Sequence, residues 1–389
     1  MDLTLCLTHA CNLRCGYCYA GPKFPRQMEW ETARKAIGFA LEHTAEQARL
    51  TGREAKCQLG FFGGEPLMEW DTLRRATDHA LALAETTGVR LVLTVTTNMT
   101  LLDAPKAGWL RERGFHVGLS LDGNAAMHDT LRRTAGGAPS HARCAPALEF
   151  FKGPEATGEV IVVLDPENIS FLADSFEWLV ERDIRRVSFN PNHTAYWSDA
   201  ALAEWRAQYT RVAEIYVDTY RRGTPWHINV FDGKIRVRIN GGYRPCDRCG
   251  FGETEVAVSA AGWFYPCERL VGDDTDTALR IGHVDSGFDA AARGRILASR
   301  GNTVAECATC PARDRCANWC GCVNYAATGF INRVPGLVCF HEKLCIDTAD
   351  RAASILFEER NPAFLAKYYG RLLQDEWPEA APMVTNDVS

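Results

Sequence analysis

Residues 6–21 read CLTHACNLRCGYCYAG, and this stretch places Cys11, Cys15 and Cys18 in one loop directly after a short apolar run. A structural zinc site usually has four closed protein ligands. Three thiolates on one tight loop would instead leave one iron of a [4Fe-4S] cube without a protein ligand. That iron can bind the amino and carboxylate groups of a small molecule and pass an electron to it. The loop therefore predicts a catalytic iron-sulfur site.

The overall composition argues against two kinds of partner. The 389 residues carry a net charge of -6 and show no Lys/Arg cluster along one face, so the phosphate-neutralising surface that nucleic-acid binding requires is not evident. No apolar run approaches the ~20 residues of a membrane helix, and the N-terminus has no secretory signal. We therefore expect a cytoplasmic protein with no nucleic-acid or membrane partner. Thiols stay reduced there, so the sixteen cysteines are interpreted as metal ligands before disulfides.

Strand-like and helix-like segments alternate six times from the N-terminus, as expected for an α/β protein with buried parallel strands. Six such units favour an open, partial (β/α)6 barrel, and a flat doubly wound sheet is the alternative. In either architecture the ligands lie beyond the carboxyl ends of the strands. The predicted strands are LTLCL, CQLGFF, RLVLTVTT, HVGLSL, EVIVVL and RRVSFN. The predicted helices cover residues 31–44, 71–85, 104–113, 141–152 and 168–182.

Changes in composition divide the chain into three predicted parts. An amphipathic helix over residues 198–222 closes the first domain, 1–225. The second domain, 226–345, contains ten of the sixteen cysteines and one clear hairpin, EVAVSAAGWFYPC. We expect this small, loop-rich domain to be held together by bound metal. Residues 346–389 are predicted to form C-terminal helices and a tail, with 378–389 disordered.

The opening motif has the form CxxxCxΦC, in which Φ is aromatic, and it resembles the signature of the radical S-adenosylmethionine (radical SAM) superfamily. The matching residues are Cys11, Cys15, Tyr17 and Cys18. The resemblance implies a [4Fe-4S] cluster on the three cysteines that binds S-adenosylmethionine (SAM). Reductive cleavage of SAM would give methionine and a 5′-deoxyadenosyl radical that abstracts hydrogen from a substrate. The protein would orient this cofactor and exclude water.

Three further stretches match the family at the expected strand ends: FFGGEP after strand two, TTNM after strand three and SLDG after strand four. We expect the glycines to let the backbone and Glu65 approach the SAM amino group, and the polar residues to contact its ribose and carboxylate. Arg132 is the candidate partner of the methionine carboxylate, with Arg133 as the alternative. The SAM-binding residues implied by the resemblance are Tyr17, Gly63, Gly64, Glu65, Thr97, Asn98, Ser120, Asp122 and Arg132.

A downstream pattern of seven cysteines resembles the SPASM domain, an extension of radical SAM enzymes that mature peptides and proteins. In that family the pattern binds two auxiliary [4Fe-4S] clusters in a crossed arrangement, so the chain would hold three clusters. The implied ligands of the first auxiliary cluster are Cys249, Cys267 and Cys320, with Cys246 as the fourth. Those of the second are Cys307, Cys310, Cys316 and Cys339. Zinc is the alternative metal for the C-x2-C pairs.

Five cysteines lie outside these sets: Cys6, Cys57, Cys144, Cys322 and Cys345. Cys6 and Cys57 lie on predicted strands, where we expect them to be buried free thiols that act as small apolar side chains. Cys322 and Cys345 lie near the predicted cluster ligands. For each of these two, the sequence leaves open whether it ligates a cluster or gives a hydrogen atom to a substrate radical.

Glu268 is the candidate catalytic residue because it directly follows Cys267. In the related anaerobic sulfatase-maturing enzymes an aspartate occupies this position and acts as a base. Here the side chain is one methylene longer. The alternative is an ordinary solvated charge or an ion-pair partner of Arg269.

Together the patterns predict a radical SAM/SPASM enzyme that abstracts hydrogen from a residue of a ribosomally made precursor peptide and so installs a crosslink or another modification. The alternatives are a sulfatase-type formylglycine maturase, a small-molecule radical SAM dehydrogenase, and a non-enzymatic iron-sulfur or zinc electron-transfer protein. An electron donor such as flavodoxin or ferredoxin is implied. Because the sequence starts at strand one, we expect a separate leader-peptide recognition protein, or direct capture of the peptide, to supply specificity.

Overall fold

The centre of the fold is a run of six parallel strands that match the six predicted ones. The computed structural model describes residues 1–154, 156–301 and 303–376, with the backbone alone for 371–376. The tail predicted to be disordered, 378–389, lies outside these residues. The strands are β1 (Asp2–Thr8), β2 (Lys56–Gly63), β3 (Arg90–Thr97), β4 (His116–Ser120), β5 (Gly158–Leu164) and β6 (Arg186–Pro191).

The six strands lie side by side in sequence order, each hydrogen-bonded in parallel to the next. A doubly wound sheet would reverse its strand order at a switch point, and this sheet does not. The open, partial (β/α)6 barrel is therefore confirmed, and the flat doubly wound alternative is wrong.

The two faces of the sheet differ in character because side chains alternate along each strand. Leu5, Phe61, Val95 and Val117 stand in register across four strands, and each is at most 2% exposed. This apolar row forms the face covered by helices, and each such side chain contributes roughly 1.5–3 kcal/mol by burial. The opposite face carries smaller and more polar side chains and lines the interior of the barrel.

Seven helices accompany the six strands. They are α1 (Trp30–Thr51), α2 (Trp70–Thr87), α3 (Ala104–Glu112), α4 (Ala125–Leu131), α5 (His141–Cys144), α6 (Leu172–Glu181) and α7 (Asp199–Arg221). The single helix predicted over 141–152 is wrong, because α5 ends at Cys144 and a 3-10 helix covers 145–151. Pro146 explains the break, since it lacks an N–H and its ring clashes with the preceding turn.

The sheet continues beyond the six strands at both edges. β7 (His227–Ile228) pairs with β6, and α8 (Asn229–Ile239) follows it. The predicted hairpin is confirmed as β8 (Glu255–Val258) and β9 (Trp263–Tyr265), and β8 pairs in parallel with β1. Two short strands, β10 (Gly282–His283) and β11 (Gly287–Phe288), complete this edge. The cysteine-rich segment is thus joined to the barrel by backbone hydrogen bonds.

Short helices connect the remaining cysteines, and long ones close the chain. They are α9 (Ala290–Ala298), α10 (Ala305–Ala308), α11 (Gly321–Thr328), α12 (Gly336–Glu358) and α13 (Pro362–Glu376). The C-terminal helical region, predicted from residue 346, begins ten residues earlier, so Cys339 lies on α12. Within residues 1–154, 156–301 and 303–376, no helix combines the length and apolar character needed to cross a membrane.

Candidate active site

The loop that carries Cys11, Cys15 and Cys18 follows β1 and is fixed against the segment after α4. Backbone hydrogen bonds join Gly16 N to Leu131 O at 2.9 Å and Arg14 N to Arg133 O at 2.7 Å. These contacts place the loop at the carboxyl end of the sheet, where ligands bind in α/β folds.

The three thiols of the loop are brought close enough to interact electrostatically. Burial raises the pKa of Cys15 to about 11, and negative charge on Cys18 and Cys11 acts in the same direction. Lys23 Nζ lies 3.0 Å from Cys18 Sγ and supplies a compensating positive charge. Three such thiols, with Cys18 exposed, fit a [4Fe-4S] cube whose fourth iron is open to a small ligand.

Gly63 and Gly64 are required by the close approach of two backbone segments. A Cβ on Gly64 would lie 2.0 Å from Ala10 O, and Gly63 has a positive φ of 125° with a Cβ position 2.4 Å from Thr8 O. Gly64 N and Glu65 N also donate hydrogen bonds to Thr8 O and Ala10 O, at 2.7 and 2.9 Å. The glycines thus hold the end of β2 against the cysteine loop, and their predicted approach to SAM stays a prediction.

Glu65 is buried and binds the end of β3. Its carboxylate accepts hydrogen bonds from Leu67 N at 3.0 Å, Thr97 Oγ1 at 2.7 Å and Asn98 N at 2.7 Å. Burial raises the pKa of Glu65 to about 7, although these three donors oppose the shift. Asn98 Nδ2 in turn lies 3.7 Å from Cys11 Sγ. Four residues predicted to bind SAM or iron are therefore in one hydrogen-bonded group.

Asp122 and Arg132 form a buried ion pair beneath the same loop. Asp122 Oδ2 accepts from Arg132 Nε at 2.9 Å and Oδ1 accepts from a terminal nitrogen of Arg132 at 3.1 Å. The Tyr17 hydroxyl donates to the same carboxylate, and Val163 N donates to it at 2.8 Å. Arg132 is thus engaged by Asp122, and its predicted pairing with the methionine carboxylate stays a prediction. Ser120 ends β4 and is half-buried.

The three thiols assigned to the first auxiliary cluster come together from distant parts of the chain. Cys267 follows β9 after the single residue Pro266, and Cys320 precedes the first residue of α11. The charge of Cys320 adds to burial and to Glu255 in raising the pKa of Cys249. Cys249 Sγ lies 3.0 Å from a carboxylate oxygen of Glu255, which itself groups with Cys267 and Glu268 within 4.8 Å. No single sequence motif indicated the participation of Glu255.

The four thiols assigned to the second auxiliary cluster are found as two pairs, Cys316 with Cys339 and Cys307 with Cys310. Burial raises the pKa of Cys316 to about 12, with further contributions from Glu342 and from the charge of Cys339. Glu342 Oε2 accepts from Lys234 Nζ at 2.6 Å and from Ala317 N at 2.5 Å, which holds the Cys316 loop against α12. The other two ligands, Cys307 and Cys310, share one turn at α10.

Glu268 lines a small cleft on the interior face of the barrel. The cleft is also lined by Cys6 and Thr8 of β1 and by Phe62 of β2. Glu268 is half-buried, and its charge contributes to raising the pKa of Cys6. The neighbouring Arg269 lies over the Tyr19 ring, 5.1 Å from its centroid, and forms no ion pair with Glu268 among the described residues. Against its burial, the charges of Tyr19, Cys322 and Glu268 raise the pKa of Arg269, and the ion-pair alternative for Glu268 stays a prediction.

Two of the cysteines outside the predicted ligand sets are buried, as predicted, and two others contact neighbouring side chains. Cys6 and Cys57 are buried, at 4% and 1% exposure. Cys345 Sγ lies 3.1 Å from His341 Nε2, one turn earlier on α12. Cys322 is 5% exposed, and its Sγ lies 3.4 Å from that of Cys320.

A comparison of the sequence with protein families identifies the domain that carries this site. Residues 5–179 match the model of the Radical SAM superfamily. These residues form a radical SAM domain. This superfamily uses SAM and a [4Fe-4S] cluster, and the match covers the cysteine loop, Glu65, Asn98 and Asp122.

Curated relatives of the radical SAM domain extend into the cysteine-rich part. An uncharacterized protein of Methanocaldococcus jannaschii is 26% identical over 188 residues, which are 48% of this chain and 61% of that protein, less than two thirds of its length. The cysteine-type anaerobic sulfatase-maturating enzyme of Clostridium perfringens is 22% identical over 273 residues, which are 68% of this chain and 72% of the enzyme.

Solved structures share the fold over most of the chain. Native anSMEcpe with bound AdoMet and the Kp18Cys peptide superposes with a TM-score of 0.73 at 18% identity, covering 92% of this chain and 100% of that one. Streptococcus suis SuiB bound to precursor peptide SuiA superposes with a TM-score of 0.55 at 18% identity, covering 87% of this chain and 75% of that one. The likeness therefore includes the sheet extension and the cysteine-rich segment as well as the radical SAM domain.

Proposed function

We propose that this protein is an enzyme that abstracts a hydrogen atom from a side chain of a peptide and completes the oxidation with Glu268 as base. The observation that carries the proposal is the position of Glu268 on the interior face of the barrel, beside Cys267 and facing Cys6 and Thr8 of β1. When bound, the clusters and SAM would supply the hydrogen-abstracting radical and an acceptor for the electron that the substrate then loses.

The residues of the chain have distinct roles in this proposal. Cys11, Cys15 and Cys18 hold the open cluster, and Glu65 and Asn98 orient SAM beside it. Cys249, Cys267 and Cys320 contribute to the first auxiliary cluster, and Cys307, Cys310, Cys316 and Cys339 hold the second. The cofactor SAM, or the loop that binds it, is held in position by Ser120, Asp122 and Arg132. Glu268 accepts the proton that leaves the substrate after hydrogen abstraction.

The fit of thiols to clusters rests on donor chemistry. Thiolates are the ligands of [4Fe-4S] clusters, and the described thiols are grouped by contacts between segments far apart in sequence. Zinc remains the competing metal for paired cysteines. About twelve iron atoms per chain would support three clusters, whereas about four iron atoms with two zinc ions would support the alternative.

A ribosomally made precursor peptide is the substrate that we favour, with a crosslink or another side-chain modification as the product. Support comes from the fold shared with SuiB, which is described as bound to precursor peptide SuiA. An external electron donor such as flavodoxin or ferredoxin is part of the proposal. A separate leader-recognition protein is a further predicted partner, and a cytoplasmic location stays a prediction.

Formylglycine formation on a sulfatase is the second candidate reaction. It is favoured by the likeness to sulfatase-maturating enzymes, which is stronger than the likeness to SuiB by TM-score, whereas glutamate in place of aspartate at residue 268 counts against it. Both reactions need hydrogen abstraction followed by loss of a proton and an electron, so they share the proposed machinery. They differ in substrate and in the group that is formed.

The test uses anaerobically reconstituted protein with a reductant and SAM. Formation of 5′-deoxyadenosine is expected, and the Cys11→Ala, Cys15→Ala, Cys18→Ala triple variant should form none. Two peptides then separate the candidates: a short peptide encoded beside the gene, and a sulfatase peptide with Cys or Ser at the modified position. Mass spectrometry would detect the crosslink, and an aldehyde-reactive probe would detect formylglycine. SAM cleavage by the triple variant would contradict the proposal.

A further inference from the structure

The first turn of α11 presents two cysteines to the same group of thiols. Cys320 immediately precedes the helix and has an extended backbone, whereas Cys322 lies within the first turn. Their Sγ atoms are 3.4 Å apart. The charges of Cys322 and Cys267 also act on each other, so Cys322 lies near two of the three thiols assigned to the first auxiliary cluster. At 5% exposure its thiol faces this group and not the solvent.

Cys246 has a different environment. It is exposed, and its Sγ lies 3.9 Å from Oδ1 of the adjacent Asp247. Asp247 is itself held by Arg244, whose backbone N donates to Oδ2 at 2.8 Å and whose side chain donates to both oxygens. In the part of the chain that the structure describes, no hydrogen bond joins Cys246 to Cys249, Cys267 or Cys320.

The surroundings of Cys320 and Cys322 suit an anionic cluster. Both thiols lie at the start of α11, where backbone N–H groups have no partner within the helix and favour negative charge. The positive charge of Arg269 acts on both thiols. A buried thiolate set without such compensation would be costly.

We propose that Cys322, and not Cys246, is the fourth protein ligand of the first auxiliary cluster, completing the set of Cys249, Cys267 and Cys320. The inference rests on the proposed function in one respect, because it requires that the auxiliary cluster is present. It departs from the ligand set that the spacing of the cysteines implies. Cys246 is then an exposed thiol outside the cluster.

The test counts iron in a full-length background that lacks the open cluster, Cys11→Ala, Cys15→Ala, Cys18→Ala, so that iron reports the auxiliary sites alone. This background is expected to hold about eight iron atoms after anaerobic reconstitution. Adding Cys246→Ala should leave that number unchanged. Adding Cys322→Ala should remove about four iron atoms if the whole cluster is lost, or about one if a three-iron cluster remains. The three-iron cluster would be detected by its EPR signal. Cys345→Ala, another buried cysteine, is the matched control and should retain the iron.

Each other outcome overturns the inference. Loss of iron on Cys246→Ala, with or without loss on Cys322→Ala, would restore Cys246 as the ligand. Retention of all iron by Cys322→Ala would exclude Cys322. If Cys322→Ala does not fold, Cys322→Ser takes its place, and its cluster should show a shifted reduction midpoint that Cys246→Ser lacks. A background without auxiliary iron would overturn the proposed clusters themselves, which distinguishes that failure from a wrong choice of ligand.

Discussion

Arg132 and Asp122 form a two-point ion pair beneath the cysteine loop, with Nε and a terminal nitrogen of Arg132 at 2.9 and 3.1 Å from the two carboxylate oxygens. Both side chains are almost fully buried, at 6% and 0% exposure. Tyr17, the aromatic residue of the cysteine motif, donates to the same carboxylate. The pair therefore connects the cluster-binding loop to the end of β4 and fixes the loop before any ligand binds.

Replacing Arg132 should destabilise the protein far more than replacing its neighbour. Arg132→Met leaves the Asp122 carboxylate buried without its cation, and such a loss typically costs about 3–5 kcal/mol of unfolding free energy. Arg133→Met is the matched control, since the Arg133 side chain makes no hydrogen bond among the described residues, and it should change stability by about 0.5 kcal/mol or less. Urea titrations of both variants measure the difference. Equal destabilisation would contradict a special role for Arg132.

Gly64→Ala tests the contact between the end of β2 and the cysteine loop. The new Cβ would lie 2.0 Å from Ala10 O, so the loop must move. We expect a loss of about 1–3 kcal/mol in unfolding free energy and reduced iron at the open cluster. Gly38→Ala is the control, because its Cβ would meet nothing within 4 Å on helix α1, and it should stabilise by up to about 1 kcal/mol. Full iron at the open cluster of Gly64→Ala would show that the close approach is not needed.

The strands and the open-cluster motif could be predicted because their signals are local. Each buried strand is a short apolar run, and the three cysteines lie within eight residues of one another. The sheet order of the barrel follows from short right-handed connections between neighbours. The end of the helix at Cys144 also has a local cause in the sequence, because Pro146 interrupts the helix predicted over 141–152.

Contacts between distant segments could not be predicted in the same way. The pairing of β8 with β1, the closeness of Gly64 to Ala10 and the grouping of Glu255 with Cys267 depend on the completed fold. The resemblance implied Cys246 as the fourth ligand of the first auxiliary cluster and left the role of Cys322 open. The pairing of Arg132 with Asp122 likewise depends on how the completed fold packs these side chains together.

Glu65 should make stability depend on pH near neutrality. Its pKa is raised by burial to about 7, above the ordinary value of 4.5, so the folded state favours the protonated carboxyl. Stability from this group is complete below about pH 4.5 and is lost as the pH rises through 7. Relative to Glu65→Gln, which cannot ionise, the wild-type unfolding free energy should fall by about 1 kcal/mol between pH 6 and 7 and level off above pH 8.

Urea titrations of reconstituted wild type and Glu65→Gln across this pH range, without SAM, provide the measurement. Glu85→Gln, at an exposed carboxyl of α2, is the control and should leave the wild-type pH profile unchanged. Parallel pH profiles for wild type and Glu65→Gln would show that Glu65 is ionised at neutral pH and that its three donors outweigh its burial.

The last prediction concerns the timing of proton loss at Glu268. Hydrogen abstraction comes first and does not need a base, whereas the oxidised product forms only when the substrate also loses a proton. Glu268→Gln should therefore form 5′-deoxyadenosine at nearly the wild-type rate and yield at least about a hundredfold less modified peptide, the low end of a general base's contribution. Glu268→Asp keeps the carboxylate and should recover part of the product. Glu253→Gln is the control, since Glu253 is a surface carboxylate paired with Arg300 at 2.7 Å and should match wild type. Mass spectrometry of the peptide and chromatography of the nucleoside give the two rates, and full product from Glu268→Gln would place the base elsewhere in the barrel.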